Sequence, residues 1–169
     1  MKYRFEHVFD VSPEKLMETM FRKGVTEELK PDMTTIVDAE TLEYEDGGDR
    51  IRRRVRYLPV PAIRSVGIKK VQPEWMEWVE ESELDKKAGH VTYRNVPTTP
   101  GVAQRLENHG EMSFDGLGPD RTRRVISGEL HVKVRFFGRL VEPIIKSYAG
   151  KILEDEARAL MKFLRENRD

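Results

Sequence analysis

The sequence predicts an α+β fold, in which a curved seven-stranded antiparallel sheet wraps around a long carboxy-terminal helix, with two short helices after the first strand. Three observations predict it. Apolar residues recur at helical spacing between Arg139 and Arg168, through Val141, Ile145, Tyr148, Ile152, Ala159 and Phe163, and Leu153, Leu160 and Leu164 widen the stripe. Most of the preceding chain instead alternates apolar and polar residues with period two. Turn-forming runs of Gly, Asp and Pro separate the alternating segments. A helical stripe this wide has to be buried, and the sheet is the only partner large enough. A groove or cavity between the two is therefore the expected functional feature.

Each element has a local reason. Tyr3, Phe5, His7, Phe9 and Val11 alternate with Arg4, Glu6 and Asp10, which predicts a strand with one buried face. Ser12 is a natural helix cap, Pro13 suits the first turn and Glu14 complements the helix dipole. The helix they start runs to about Arg22 and turns Leu16, Met17, Met20 and Phe21 inward. After Gly24, a short helix spans Thr26 to Leu29 and ends before Pro31. Strands Met33–Glu45 and Arg50–Leu58 flank Asp46-Gly47-Gly48-Asp49, a hairpin signal. The segment Leu58–Val71, opened by Pro59-Val60-Pro61, reads as a loop with one helical turn. Strands Glu74–Leu84 and His90–Val96 form a second hairpin, and Gln104–Phe114 and Arg121–Phe136 a third, turning at Gly116–Pro119.

A chain of 169 residues is expected to form one domain over 1–169. Thirty basic and thirty acidic residues cancel, so bulk charge does not recruit nucleic acid. The absence of cysteine excludes disulfides, thiol catalysis and cysteine-ligated zinc. The four histidines form no HExxH or HxH pair, and no GxGxxG, P-loop or GxSxG motif is present, so neither a metal nor another cofactor is expected. The amino terminus lacks a signal-peptide pattern, and no run approaches the roughly 20 apolar residues of a membrane span. The expectation is a cytoplasmic protein that makes at most transient contact with a membrane surface.

Alternation assigns sides. Ile126, Gly128, Leu130, Val132, Val134 and Phe136 point inward, as do Leu106, Asn108, Gly110, Met112 and Phe114. Ile51, Val55 and Tyr57 carry Arg53 inward with them, and helical spacing puts Glu156 on the apolar side of the last helix. The expected interior thus holds His7, Arg53, Asn108, Glu156 and either Glu77 or Glu80. Charges in apolar surroundings must pair, reach water or meet a ligand, and Arg53 with Glu156 is the expected pair. Arg52, Arg54 and Arg56 share the outer face, opposite Glu77, Glu81 or Glu83; they form a solvated charged face or a docking patch for an anionic partner.

The segments Phe5-Glu6-His7-Val8-Phe9-Asp10, Ser12-Pro13-Glu14-Lys15, Gly128-Glu129-Leu130-His131-Val132-Lys133-Val134 and Gly138-Arg139-Leu140-Val141-Glu142 resemble the START-like and birch-pollen-allergen-like superfamily (SRPBCC). The resemblance spans the chain and is nearest to bacterial members with no assigned function. It implies a helix-grip fold. Over a short stretch, Glu80–Asp85 with Arg94-Asn95 also resembles PRELI-type phospholipid-transfer proteins.

The resemblance implies binding, or transport, of a hydrophobic or amphipathic small molecule or lipid between sheet and helix. The expected ligand-binding residues are Phe5, His7, Arg53, Val55, Met112, Leu130, Ile152 and Glu156. The expected lid comprises Leu58, Val60, Ile63 and Ile68. One alternative is a cyclase- or dehydratase-like enzyme using His7 and Glu156 as acid and base. Another is a protein-interaction module with a closed core.

Overall fold

The computed structural model describes residues 1–61, 65–66, 69–70, 73–133 and 138–167. Strand β1 (Lys2–Phe9) leads into helices α1 (Pro13–Met20) and α2 (Val25–Leu29), then the hairpin of β2 (Ile36–Asp46) and β3 (Arg50–Pro59). A two-residue ribbon of β4 (Ser65–Val66) and β5 (Lys69–Lys70) precedes the second hairpin, β6 (Trp78–Asp85) and β7 (His90–Pro97). The one-turn helix α3 (Pro100–Ala103) connects to the third hairpin, β8 (Leu106–Gly118) and β9 (Arg121–Val132). Helix α4 (Gly138–Glu166) follows. The seven long strands form one antiparallel sheet in the order β1-β9-β8-β7-β6-β3-β2. The first and last strands are neighbours, and α4 packs across this pair. This is the α+β helix-grip architecture.

Ser12 caps α1 as expected, its hydroxyl accepting from the Lys15 N–H at 3.2 Å. The differences from the sequence reading lie at element ends and have local causes. A 3-10 turn over Lys30–Asp32 delays β2 to Ile36, and another over Pro73–Met76 delays β6 to Trp78. Pro100 opens α3, so β8 starts at Leu106 and then runs past Phe114 to Gly118. Within Leu58–Val71, Leu58 and Pro59 end β3 and the β4–β5 ribbon follows, while 62–64, 67–68 and 71 lie outside the described residues. Ile63, Ile68, Val134 and Phe136 lie outside the described residues.

The outer face of the sheet is a lattice of ion pairs. Arg52 meets Glu83 at 2.6 Å, Arg54 meets Glu43 at 2.6 Å, and Arg56 meets Asp38, Glu40 and Glu77 at 2.8–3.0 Å. Period-two alternation thus fixed the outward side of β3 correctly.

Burial inside the sheet is uneven. Toward the α1–α2 end, Phe9, Leu16, Phe21, Leu84, Val91 and Leu160 belong to one continuous core. Along α4 the grade is clear: Ala157, Ala159, Leu160 and Leu164 are buried, whereas Ile145, Tyr148, Ala149 and Ile152 are only half-buried. The carboxy-terminal half of the helix therefore closes the core, and the amino-terminal half packs less deeply.

Asp155 marks the changeover. Its buried carboxylate accepts from the Thr35 N–H at 2.8 Å and the Thr35 hydroxyl at 2.7 Å, and it pairs with Arg158. Burial pushes this carboxyl upward, but the Thr35 hydrogen bonds and the Arg158 charge together outweigh it and hold the carboxyl below the usual range. Asp155→Ala should cost about 2 kcal/mol in urea denaturation, since charged hydrogen bonds are lost and the half-buried Thr35 N–H is left without its partner. A carboxyl depressed on folding gives stability that is complete above about pH 5 and fades as the pH falls through the folded value. Asp155→Asn should remove that part of the acid-side slope.

Candidate functional site

Strand register lines up the concave face in rows. One row reads Tyr3, Gly128, Gly110, Tyr93, Ser82 and Arg53 across β1, β9, β8, β7, β6 and β3. At its centre two glycines face each other, and no other residue fits there. A Cβ on Gly110 would fall 2.1 Å from the Ser127 carbonyl oxygen and 2.7 Å from the Tyr93 hydroxyl. One on Gly128 would fall 2.4 Å from the His109 carbonyl oxygen and 2.5 Å from the Tyr3 hydroxyl. The bare backbone lets two phenols from opposite sides lie over it and meet at 2.7 Å. Tyr3 donates onward to Asn108 Oδ1 at 2.6 Å. Burial pushes both phenols above their usual pKa range, and the Glu80 carboxylate pushes the same way, so both stay neutral.

The adjacent row reads Leu130, Asn108, Asn95, Glu80 and Val55. Its middle is polar. Glu80, not Glu77, is the glutamate on this face; Glu77 is taken by Arg56 on the other side. Beside this row Tyr57 stacks on Trp78 with ring centroids 5.3 Å apart. Asn95 Oδ1 in this row and the Tyr148 hydroxyl on α4 are buried polar atoms with no hydrogen-bond partner among the described residues. Tyr148 lies on the half-buried part of α4, on the same stripe as Ile145 and Ile152. At Gly150 the helix comes down on β1, where a Cβ would stand 3.0 Å from the Phe5 ring.

A third row, near the closed core, holds His7, Arg124 and Phe114. Arg124 has no solvent exposure. It donates to Glu156 at 2.8 Å, approaches His7 Nδ1 at 3.3 Å and sits 5.3 Å over the Phe9 ring. A guanidinium only donates, so Nδ1 accepts and Nε2 carries the histidine proton. Burial lowers the His7 pKa, and the Arg124 charge lowers it further against the opposing pull of Glu156.

Arg53 and Glu156 do not pair, because α4 packs on β9 and β1, whereas Arg53 stands on β3 toward the other edge of the sheet. Arg53 donates to the Met20 carbonyl at 2.7 Å, Ser82 Oγ at 3.2 Å and Glu80 at 3.3 Å, and lies 4.3 Å over the Phe21 ring. Glu156 serves Arg124 instead. His7 and Glu156 are brought together only through that arginine, which stands between them. Of the other expected wall residues, Phe5, Met112 and Ile152 are half-buried on the inner side, whereas Val55 and Leu130 are enclosed at 0% and 2% exposure. Leu58 is half-buried and Val60 exposed at the end of β3. The residues that the sequence reading passed over are Arg124, Tyr93 and Asn95. The alternation Val91, Tyr93, Asn95, Pro97 carried the signal for two of them, and counting two residues back from Ile126 carried it for the third.

Among the described residues no cluster of three or more His, Asp or Glu side chains could hold a metal ion. No helix among them is long and apolar enough to cross a membrane.

Solved structures share the architecture over nearly the full chain. TTHA0849 from Thermus thermophilus is 21% identical with a TM-score of 0.66, and the match covers 96% of this chain and 99% of that one. The ZhuI aromatase/cyclase from Streptomyces sp. R1128 is 14% identical with a TM-score of 0.66, covering 98% and 94%. Norcoclaurine synthase from Thalictrum flavum, in complex with dopamine and hydroxybenzaldehyde, is 18% identical with a TM-score of 0.68, covering 100% and 88%. At these identities the likeness is one of fold. No curated protein matches the sequence. Residues 4–164 match the family model described as "Protein of unknown function (DUF2505)", and the chain, built on the helix-grip fold, belongs to that family.

Proposed function

We propose that the protein binds a hydrophobic or amphipathic small molecule between the amino-terminal half of α4 and the polar rows of the sheet. The observation that carries this reading is that two buried polar atoms are unpartnered among the described residues, Asn95 Oδ1 on the inner face of the sheet and the Tyr148 hydroxyl on the half-buried stripe of α4. Folded proteins rarely leave such atoms unmatched, and a ligand's polar group is a natural partner. Phe5, Met112 and Ile152 supply apolar wall, with about 25 cal/mol for each Å² removed from water before entropy costs. The Leu58–Val71 segment, which follows on from β3, is the proposed gate. The ZhuI aromatase/cyclase and the norcoclaurine synthase complex support small-molecule use of this fold. The short PRELI-type resemblance makes a lipid one candidate ligand, delivered by transient membrane contact.

Native mass spectrometry tests the reading. The purified protein should carry a retained mass of metabolite or lipid size that organic extraction removes. A bare protein to which cellular extracts add no mass would overturn it.

A second reading is cyclase- or dehydratase-like chemistry. It is favoured by one observation: His7 is held neutral with its acceptor nitrogen on Arg124 and its Nε2 proton committed to no described partner. On that reading His7→Gln abolishes turnover while ligand affinity is retained.

A further inference from the structure

We propose that the groove selects a ligand whose head group donates hydrogen bonds and carries positive charge, a protonated amine on an apolar ring body, held by Glu80, Asn95 and Tyr93. This rests on the groove being the binding site, as proposed above.

The phenol protons on this floor are already committed. The Tyr3 hydroxyl has one proton, and it goes to Asn108 Oδ1 at 2.6 Å. The 2.7 Å contact between the phenols is therefore filled by the Tyr93 proton. Both protons are spent within the sheet, and the Tyr93 oxygen offers a ligand only lone pairs. Asn95 follows two residues along the same strand face, its Oδ1 buried and unpartnered. Glu80 sits directly opposite Asn95 on β6. One Glu80 oxygen receives Arg53 at a long 3.3 Å, and the side chain keeps 23% exposure. Glu80 and Asn95, directly opposite each other on neighbouring strands, lie about 5 Å apart, within reach of one head group, and the Tyr93 hydroxyl lies over Gly110 on the other side of β7.

The nearby cation occupies one Glu80 oxygen. Arg53 spends its Nε on Ser82 and its Nη1 on the Met20 carbonyl, is 9% exposed, and reaches Glu80 only through Nη2 on Oε1 at 3.3 Å. The Glu80 charge is felt across the floor: it raises the pKa of Tyr3, Tyr57 and Tyr93 alike, in each case adding to the larger effect of burial. The asparagine amide can turn either edge to a ligand, but Glu80 and Tyr93 cannot. An ammonium brings three donors and no acceptor to such a floor, whereas a carboxylate brings only acceptors and repulsion.

Three probes with one bicyclic body test this by fluorescence titration of the full chain at neutral pH: 1-naphthylmethylamine, 1-naphthoic acid and 1-methylnaphthalene. The amine is expected to bind about tenfold tighter than the methyl compound or more, with the acid weakest. Glu80→Gln should erase the preference for the amine and leave the methyl compound unchanged. Tyr93→Phe, which leaves the Arg53–Glu80 contact intact, should weaken the amine about threefold to tenfold, and it decides the matter if Glu80→Gln fails to fold. Equal binding of all three probes, or tighter binding of the acid, would overturn the head-group assignment and leave the groove standing. Binding of none would remove both.

Discussion

Arg124→Ala is expected to lower stability by about 3 kcal/mol, measured by urea denaturation at pH 7.5. The guanidinium is completely enclosed, and its loss opens a void against Phe9 and Met20 while stripping Glu156 of its cation. Arg124→Met fills most of the void, so its smaller loss measures the charge contribution separately. The same arginine sets a pH dependence. Burial and the Arg124 charge hold the His7 pKa below 6.5 in the folded chain. A base depressed on folding contributes stability that is complete above the unfolded value and is lost as the pH falls through the folded one. The wild type should therefore lose stability between pH 7.5 and 5.5. With Arg124→Met that slope should flatten, because one of the two causes is gone while Glu156 now favours the imidazolium. An unchanged slope would assign the depression to burial alone.

Gly110→Ala should be nearly as damaging, at about 3 kcal/mol in thermal or urea unfolding, the upper end for overpacking a close contact. The reason is the identity of the obstructing atom. A flexible side chain could yield, but the Ser127 carbonyl oxygen at 2.1 Å belongs to the neighbouring strand's backbone. The added methyl must push β8 from β9 and lift the Tyr93 phenol off the glycine pair. Combining Gly110→Ala with Tyr93→Phe discriminates the two conflicts. The phenol at 2.7 Å is relieved and the carbonyl is not, so little stability should return. Full rescue would mean that the phenol, not the backbone, is the tighter constraint.

Much of this geometry is legible in the sequence because a pleated strand has period two. Tyr3, Phe5, His7 and Phe9 announce their side, and Ile51, Val55 and Tyr57 carry Arg53 inward between them. What alternation cannot supply is register. Gly110 and Gly128 are ordinary strand glycines until β8 and β9 are laid side by side, and only then do they become a platform for two tyrosines. The same blindness produced the wrong ion pair. Arg53 and Glu156 both face inward, but α4 lies over β1 and β9 while Arg53 is on β3, and each had a nearer partner in Glu80 and Arg124. Arg124 itself stands in the run Arg121-Thr122-Arg123-Arg124, where four polar residues in succession read as surface. Strand alternation turns Arg123 outward to Asp115 and Arg124 into the core. Element ends were missed where a proline made a local turn cheaper than further pairing, at Pro31, Pro73 and Pro100.

The arginines on the outer face of β3 bear on how fast anything finds this protein. Each guanidinium already lies within contact distance of a carboxylate on a neighbouring strand. Opposite charges so closely interleaved cancel within about one screening length, roughly 8 Å at physiological salt. An approaching molecule thus meets no sustained field from this face to turn or accelerate it. Encounters there are governed by diffusion and orientation, and their rate should barely respond to ionic strength, unlike associations steered by a single-signed surface.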